Sequence, residues 1–91
     1  MSSARLVFSS DGVRPLSRLE RGARGTIVAV RPHRGDGAER LLALGVTVGA
    51  SATVLQSFPG IVFLCDQTEL AVERGVADMI FVQLVAGGTG G

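Results

Sequence analysis

The sequence has 91 residues, of which 46% are hydrophobic and 19% are charged, and its formal net charge is +1. A chain of this length is near the size at which one core is only just sufficient, so we expect a single globular domain. The small net charge argues against a dedicated nucleic-acid-binding protein, whose affinity would come from a basic footprint. Seven of the nine arginines precede Asp36, and six of the eight acidic residues lie from Asp36 onward. We expect folding to interleave these two halves and to leave no charged patch.

The two ends of the chain carry no recognisable chemistry. Residues 1–14 are predicted to be an N-terminal extension, in which the segment RLVF (5–8) is either an extra edge strand or an ordered tail. This start lacks the long apolar core of a secretory signal, and the single cysteine, Cys65, fits a reducing compartment. We therefore expect a cytoplasmic protein. Residues 86–91 are rich in Gly and are predicted to be disordered.

Between these ends the pattern predicts mainly β structure. Five segments rich in β-branched residues are bounded by turn signals; they are RGTIVAVRP (24–32), VTVGASATVLQSF (46–58), IVFLCD (61–66), ELAVE (69–73) and MIFVQLV (79–85). A tight link at Gln67-Thr68 is predicted to join the third segment to the fourth, and residues 74–78 are a turn or a single helical turn. No charge occurs from residue 41 to residue 65, but interrupting polar residues and glycines and a period of two argue against a membrane span. We expect no direct membrane insertion.

A short helix is predicted between the first two of these segments. Asp36 can accept hydrogen bonds from the free N–H groups of the first turn, and Glu39 three residues later completes a pair that resembles a capping box. Leu41 and Leu42 share one face of this helix. Such a short helix is not stable alone, so its leucines must pack on the sheet.

Four residues around the end of this helix are predicted to be structural. Gly45 follows the last turn, where a residue with positive φ is commonly needed and glycine adopts it without steric penalty. Gly49 suits a bend or bulge where the next strand curls. Leu41 and Leu44 are expected to be buried, and truncation of a buried leucine to alanine costs about 2 to 5 kcal/mol.

Three segments in this order resemble the FeoA family of small proteins of bacterial ferrous-iron uptake. PLSRLERGARGTIVAV (15–30) resembles the family's leucine pair, tight turn and first strand, ERLLALGVTVG (39–49) its helix ending in Leu-Gly, and LAVERGVADMIFV (70–82) its hairpin strand, short turn and closing strand. The resemblance covers residues 15–85. It implies a mainly β fold, a small SH3-like barrel of about five strands with one short α-helix between the first two barrel strands.

The sequence departs from the family pattern in two respects. Arg21 and Val48 stand before glycines where the family usually has proline, which the fold tolerates because proline only preorganises a turn. Glu73 lies in a segment that is often basic in the family. The acidic side chain of Glu73 therefore changes the charge that this segment would present to a partner.

The resemblance also implies a function. Proteins of this family work with a membrane ferrous iron transporter (FeoB-like) that carries a cytosolic GTP-binding domain, which suggests a non-enzymatic accessory protein that binds and modulates the transporter through its cytosolic region. The alternative is a metal-sensing or regulatory SH3-like module, related to the C-terminal domain of metal-dependent repressors. No helix-turn-helix precedes the barrel in this sequence, which favours the accessory function.

The sequence contains no constellation of catalytic residues. His33 is the only histidine, and the glycines of HRGDGAER (33–40) are not followed by the Lys-Ser/Thr pair that a phosphate-binding loop requires. We expect no enzyme activity and no cofactor. The candidate metal ligands are His33, Asp36, Cys65 and Asp66. The simpler interpretation, which we favour, is a loop histidine and a half-buried strand cysteine without a metal.

Four residues are candidates for contact with a partner. Arg34 and Arg40, together with His33, form a cationic group that could meet an acidic surface or could simply be solvated. Phe58 and Phe63 flank the Pro59-Gly60 turn, where an aromatic side chain is either an anchor for a partner or a cover for the end of the barrel. Nucleic-acid binding is not expected, because few aromatic side chains are present for base stacking. Self-association through apolar strand edges is possible.

Overall fold

The structure, a computed structural model, describes residues 12–31 and 37–85. Six antiparallel strands form one sheet: β1 (Val13–Pro15), β2 (Arg24–Val30), β3 (Ser51–Gln56), β4 (Ile61–Cys65), β5 (Thr68–Val72) and β6 (Ile80–Leu84). Their order across the sheet is β1-β6-β2-β3-β4-β5. The predicted mainly β, SH3-like class is confirmed, with six strands rather than five. The additional strand, β1, pairs with β6, whereas the segment 5–8 and the tail 86–91 lie outside the described residues.

Three short helical segments are fully contained in the described part of the chain. A 3₁₀-helix (Leu16–Arg18) follows β1, α1 (Gly37–Ala43) lies between β2 and β3 as predicted, and α2 (Arg74–Ala77) is the single helical turn expected before the last strand. None of the helices in the described ranges has the length and apolar character needed to cross a bilayer.

The sheet curls around a core to which β2, β3, β4 and β6 contribute the buried strand residues, and residues of β5 pack against it partly buried. Two register shifts bend it, one between β2 and β6 at Ile27/Ala29 and one between β3 and β4 at Val54/Gln56. Such bulges increase the local twist and let a sheet fold over itself. The largest fully buried side chains include those of Phe63, Leu16, Ile27, Leu41, Ile61 and Ile80.

Phe63 belongs to this core and is not available to a partner. Its side chain is 0% exposed, because β4 alternates strictly and turns Ile61, Phe63 and Cys65 inward. The candidacy of Phe63 as a partner anchor is therefore corrected. Phe58, in the turn that precedes β4, remains 78% exposed.

The link between β4 and β5 lies one residue earlier than predicted, at Asp66-Gln67. Asp66 has φ 55°, a conformation that Asp adopts more readily than most residues. Its Oδ1 atom accepts hydrogen bonds from the Ser51 N–H at 3.0 Å and from the Ser51 hydroxyl at 3.3 Å. These bonds tie the β4–β5 turn to the start of β3.

The end of α1 is closed by Gly45. Gly45 has φ +93°, its N–H donates to the carbonyl of Leu42 at 2.9 Å, and the N–H of Val46 donates to the carbonyl of Leu41 at 2.9 Å. This pair of bonds defines a Schellman motif, which normally brings the residue after the glycine against the last turn of the helix. Leu41 and Val46 are accordingly each 1% exposed and belong to the same core cluster.

Gly49 occupies a turn directly before β3. The Ala50 N–H donates to the Thr47 carbonyl at 3.1 Å across this turn, and Gly49 has φ +100° at its third position, which favours glycine. The Gly49 N–H also donates to the Ile27 carbonyl at 2.8 Å, while the Ile27 N–H donates to the Ala50 carbonyl at 2.8 Å. Gly49 and Ala50 together therefore oppose the single residue Ile27, which is the geometry of a bulge. Val48, just before, is 65% exposed, so the strand alternation begins later than predicted.

The two leucines predicted to be structural differ in burial. Leu41 is 1% exposed, whereas Leu44 is 44% exposed, so the expectation that both are buried is corrected. Leu44 lies beyond Ala43, the last helical residue, where the chain turns away and no longer repeats the face that carries Leu41. Leu42 is also exposed, at 62%, since α1 contacts the sheet through a narrower stripe than predicted.

Replacing Gly45 by Ala should lower the free energy of unfolding by about 1 to 2 kcal/mol, the cost of holding an L-residue at positive φ. A Cβ at Gly45 would meet no atom within 4 Å, so the loss would be conformational. Gly75→Ala is the matched control, because a Cβ there is equally free and φ is not positive. Urea denaturation checks this, and equal effects of the two substitutions would contradict it.

Leu41→Ala should lower the free energy of unfolding by about 2 to 5 kcal/mol, because it leaves a cavity in the core. Leu44→Ala should change it by no more than about 1 kcal/mol, because a half-exposed side chain makes fewer contacts. The two variants remove the same atoms, so thermal and urea melts of both measure burial directly. Similar losses in the two variants would contradict the exposure of Leu44.

Candidate functional site

A groove lies between α1 on one side and the end of β5 with α2 on the other. Its volume is about 230 Å³, and Leu41, Leu44, Val72 and Val76 supply its apolar lining. This is below the range of about 300 to 1,000 Å³ that is usual for small-molecule pockets. The groove therefore offers contact area for a side chain of a partner and not an enclosed site for a ligand.

The groove continues across the outer side of β5 into a second hollow. Ala71, Val72 and Glu73 line both depressions, and Val62 with Ile61 extends the apolar lining. We call the two depressions together the helix–strand surface. β5 is the last strand in the order of the sheet, so its outer edge has no neighbouring strand within the described part of the chain. Such an edge is open to main-chain pairing by another protein.

Opposite charges stand on the two walls of the groove. Arg40 lines it from α1 and Glu73 lines it from the segment that precedes α2. Both side chains are exposed. The structure thus places the predicted partner candidate Arg40 on this surface. It adds Leu44 to this surface and brings Glu73, which the sequence marks as a departure from the family pattern, opposite Arg40.

The turn that carries Phe58 adjoins the same surface. Gln56 and Gly60, which flank the Phe58 turn, line the second hollow, and Phe58 is 78% exposed. An aromatic side chain left in water at the tip of a turn contributes little to the stability of the fold, whereas aromatic residues are frequent energetic centres of interfaces.

Arg74 holds the Phe58 turn in place. Its Nη2 atom donates to the carbonyl of Ser57 at 2.6 Å, and its Nη1 atom donates to the carbonyl of Ser17 at 2.7 Å. The hydroxyl of Ser17 in turn donates to the carboxylate of Asp78. One guanidinium group therefore joins the residue before Phe58 to the 3₁₀-helix. Sequence reasoning did not single out Arg74, because its partners are backbone carbonyls, which leave no sequence signal.

The structure describes only some of the candidate metal ligands. His33, Arg34 and Asp36 lie outside the described residues. Cys65 is buried, and its thiol donates to the carbonyl of Gly45 at 3.5 Å. Burial raises the pKa of Cys65, and the Asp66 carboxylate raises it further, so the thiolate that a metal would need is disfavoured. Within residues 12–31 and 37–85 no group of three potential ligands is found.

Comparison with known proteins agrees with this architecture. A family model described as the FeoA domain matches residues 14–84. A FeoA protein from Chlorobium tepidum, solved in solution, is 31% identical, with a TM-score of 0.71 over 85% of this chain and 75% of that one. A crystal structure of an iron uptake regulatory protein, FeoA, is 28% identical, with a TM-score of 0.72 over 80% of this chain and 99% of that one.

The same fold occurs inside larger proteins. A manganese-dependent transcriptional repressor has a TM-score of 0.75 over 80% of this chain and 42% of the repressor, at 18% identity. Identity this low shows a shared fold only. No curated protein sequence matches this chain. The match of the family model over residues 14–84, together with the similarity to solved FeoA proteins, shows that the chain belongs to the FeoA domain family.

Proposed function

We propose that this protein is a non-enzymatic, cytoplasmic accessory protein of ferrous iron uptake. It binds the cytosolic region of a membrane ferrous iron transporter that carries a GTP-binding domain, and it modulates that transporter. Membership of the FeoA domain family supports the iron-uptake role. The observation that carries the binding role is the exposed Phe58, held by Arg74 beside an apolar groove.

The turn that carries Phe58 favours binding because it is already restrained in the free protein, so less conformational entropy is lost when a partner binds. Immobilising a side chain or loop at an interface costs free energy that weakens association. The bond from Arg74 to the Ser57 carbonyl restrains the backbone of this turn in the free protein. Phe58 is thereby presented as a preorganised apolar anchor next to the helix–strand surface.

The two charges on the helix–strand surface affect the orientation of a bound partner more than the affinity for it. Arg40 and Glu73 on opposite walls offer a cation and an anion to a partner that carries the complementary pair. Exposed pairs of this kind contribute only about 0.2 to 1 kcal/mol each but suppress wrong orientations. The apolar residues between them supply most of the favourable contact.

The substitution Phe58→Ser should weaken binding to the cytosolic region of the cognate transporter by about tenfold or more, as loss of an interface anchor does. Val48→Ser is the matched control, because Val48 is a 65% exposed apolar residue that does not line the helix–strand surface. Calorimetric titration of each variant into the cytosolic region of the transporter, with GDP and then with a GTP analogue, measures the two affinities. Equal affinities of the two variants would remove Phe58 from the interface.

Charge reversal at Arg40 should weaken the same binding without changing the thermal melt, because the side chain is exposed. The expected loss is about threefold to tenfold, as for a partly solvated charge pair. Arg31→Glu makes the same change of net charge at another exposed position and should leave the affinity nearly unchanged. If Arg31→Glu weakens binding as much as Arg40→Glu, the effect is general attraction and not this surface.

A metal-sensing module is the second candidate, and the fold it shares with the repressor supports it. The two functions differ in what metal does to the isolated protein. A sensor requires Fe²⁺ or Mn²⁺ to change its melting temperature or oligomeric state, whereas an accessory protein does not. A metal-dependent shift together with no binding to the transporter region in either nucleotide state would overturn the proposal.

A further inference from the structure

A second groove lies away from the helix–strand surface, where β1, the 3₁₀-helix and the start of β2 meet the end of β6. Its volume is about 660 Å³, and its lining includes Arg14, Arg18, Leu19, Glu20 and Leu84. A neighbouring hollow shares Ala23 and Leu84 with it and adds Arg24 and Val85. We call the two together the arginine groove.

The arginine groove overturns the expectation that folding disperses the basic N-terminal half. β6 lies between β1 and β2 in the sheet, and its sequence, IFVQL, is uncharged. β6 therefore places no acidic side chain between Arg14 of β1 and Arg24 of β2. Glu69, the acidic residue of β5, lies at the opposite end of the strand order. Arg14 and Arg18 line the larger hollow, where Glu20 supplies a carboxylate, and Arg24 lines the neighbouring hollow.

The arginines of this groove differ from Arg74 in what they contact. Two N–H groups of Arg74 donate hydrogen bonds to backbone carbonyls of the fold, those of Ser17 and Ser57. Arg14 donates one N–H to the carbonyl of the adjacent Val13 at 3.1 Å, and a guanidinium group carries five such donors. Its side chain, like those of Arg18 and Arg24, is exposed. These groups present a cationic rim that can bind carboxylates in two-pronged fashion.

The apolar floor and the concave shape of the groove limit the kind of ligand that can bind in it. Leu19, Ala23 and Leu84 form an apolar floor beneath the cationic rim, so the occupant must combine negative charge with small apolar groups. Among the described residues, the lining contains no aromatic side chain on which a base would stack. The surface is concave, which suits an extended chain better than a flat bilayer.

We propose that the arginine groove binds an acidic, partly apolar, extended peptide segment of a partner protein. The carboxylates of the segment pair with Arg14, Arg18 and Arg24, and its apolar side chains rest on Leu19 and Leu84. This site is separate from the helix–strand surface and does not depend on the function proposed above.

The test uses the full chain and a fluorescein-labelled peptide built by repeating Glu-Leu-Glu-Ala, followed by fluorescence anisotropy. We expect saturable binding that weakens with added salt, and at least tenfold weaker binding of a peptide with Gln in place of Glu, since charged pairing supplies the specificity. Arg18→Glu and Arg24→Glu should each reduce affinity by about threefold to tenfold. Arg31→Glu is the control, because Arg31 follows the far end of β2 and should change little.

Nuclear magnetic resonance gives a readout that does not depend on substitutions. On addition of the Glu-Leu-Glu-Ala peptide, the amide signals of Ala23, Leu84 and Val85 should shift, and those of Ala71 and Val76 on the helix–strand surface should not. Equal weakening by Arg18→Glu and Arg31→Glu, or shifts confined to the helix–strand surface, would overturn the proposal. So would binding of phosphatidylglycerol vesicles or of a single-stranded oligonucleotide with no binding of the peptide.

Discussion

The closure of α1 at Gly45 is the constraint on which the candidate site depends. The two hydrogen bonds at this helix end place Leu41 and Val46 in the core within one tight reversal of the chain. With so few helical residues, α1 has no independent stability and is held by this contact. Leu41 is buried against the core whereas Leu42 is exposed, so the part of α1 around Leu41 contacts the rest of the fold. Leu44 and Arg40 are left beside β5, and the groove between them and Val76 follows from that geometry.

A second constraint acts at the other side of the helix–strand surface. Arg74 joins two backbone carbonyls that belong to distant parts of the chain, one in the 3₁₀-helix and one before Phe58. Charge-assisted bonds to carbonyls are among the stronger hydrogen bonds in proteins. They give the Phe58 turn a defined position although the aromatic side chain itself is in solvent. The stability of the fold and the position of the Phe58 turn thus both depend on the side chain of Arg74.

The order of the strands separates two kinds of surface on one small domain. The edge at β5 carries an apolar groove with Arg40 and Glu73, and the region around β1 and the start of β2 carries the arginine groove. The strand between β1 and β2 is the uncharged β6, which places no acidic side chain between Arg14 and Arg24.

The sequence by itself determined the class of fold, the helix between the first two predicted strands and the residues at Gly45 and Gly49, because these features follow from local periodicity and from backbone conformations that glycine favours. It also placed Arg40 outside the core, whereas it left Phe58 open between an anchor for a partner and a cover for the end of the barrel. Only the tertiary structure decided that Phe63 is buried, that Leu44 is half-exposed and that Arg74 binds carbonyls, since each depends on neighbours distant in the sequence. The same holds for the arginine groove, because the composition of a chain does not reveal which strand will lie between its charged segments.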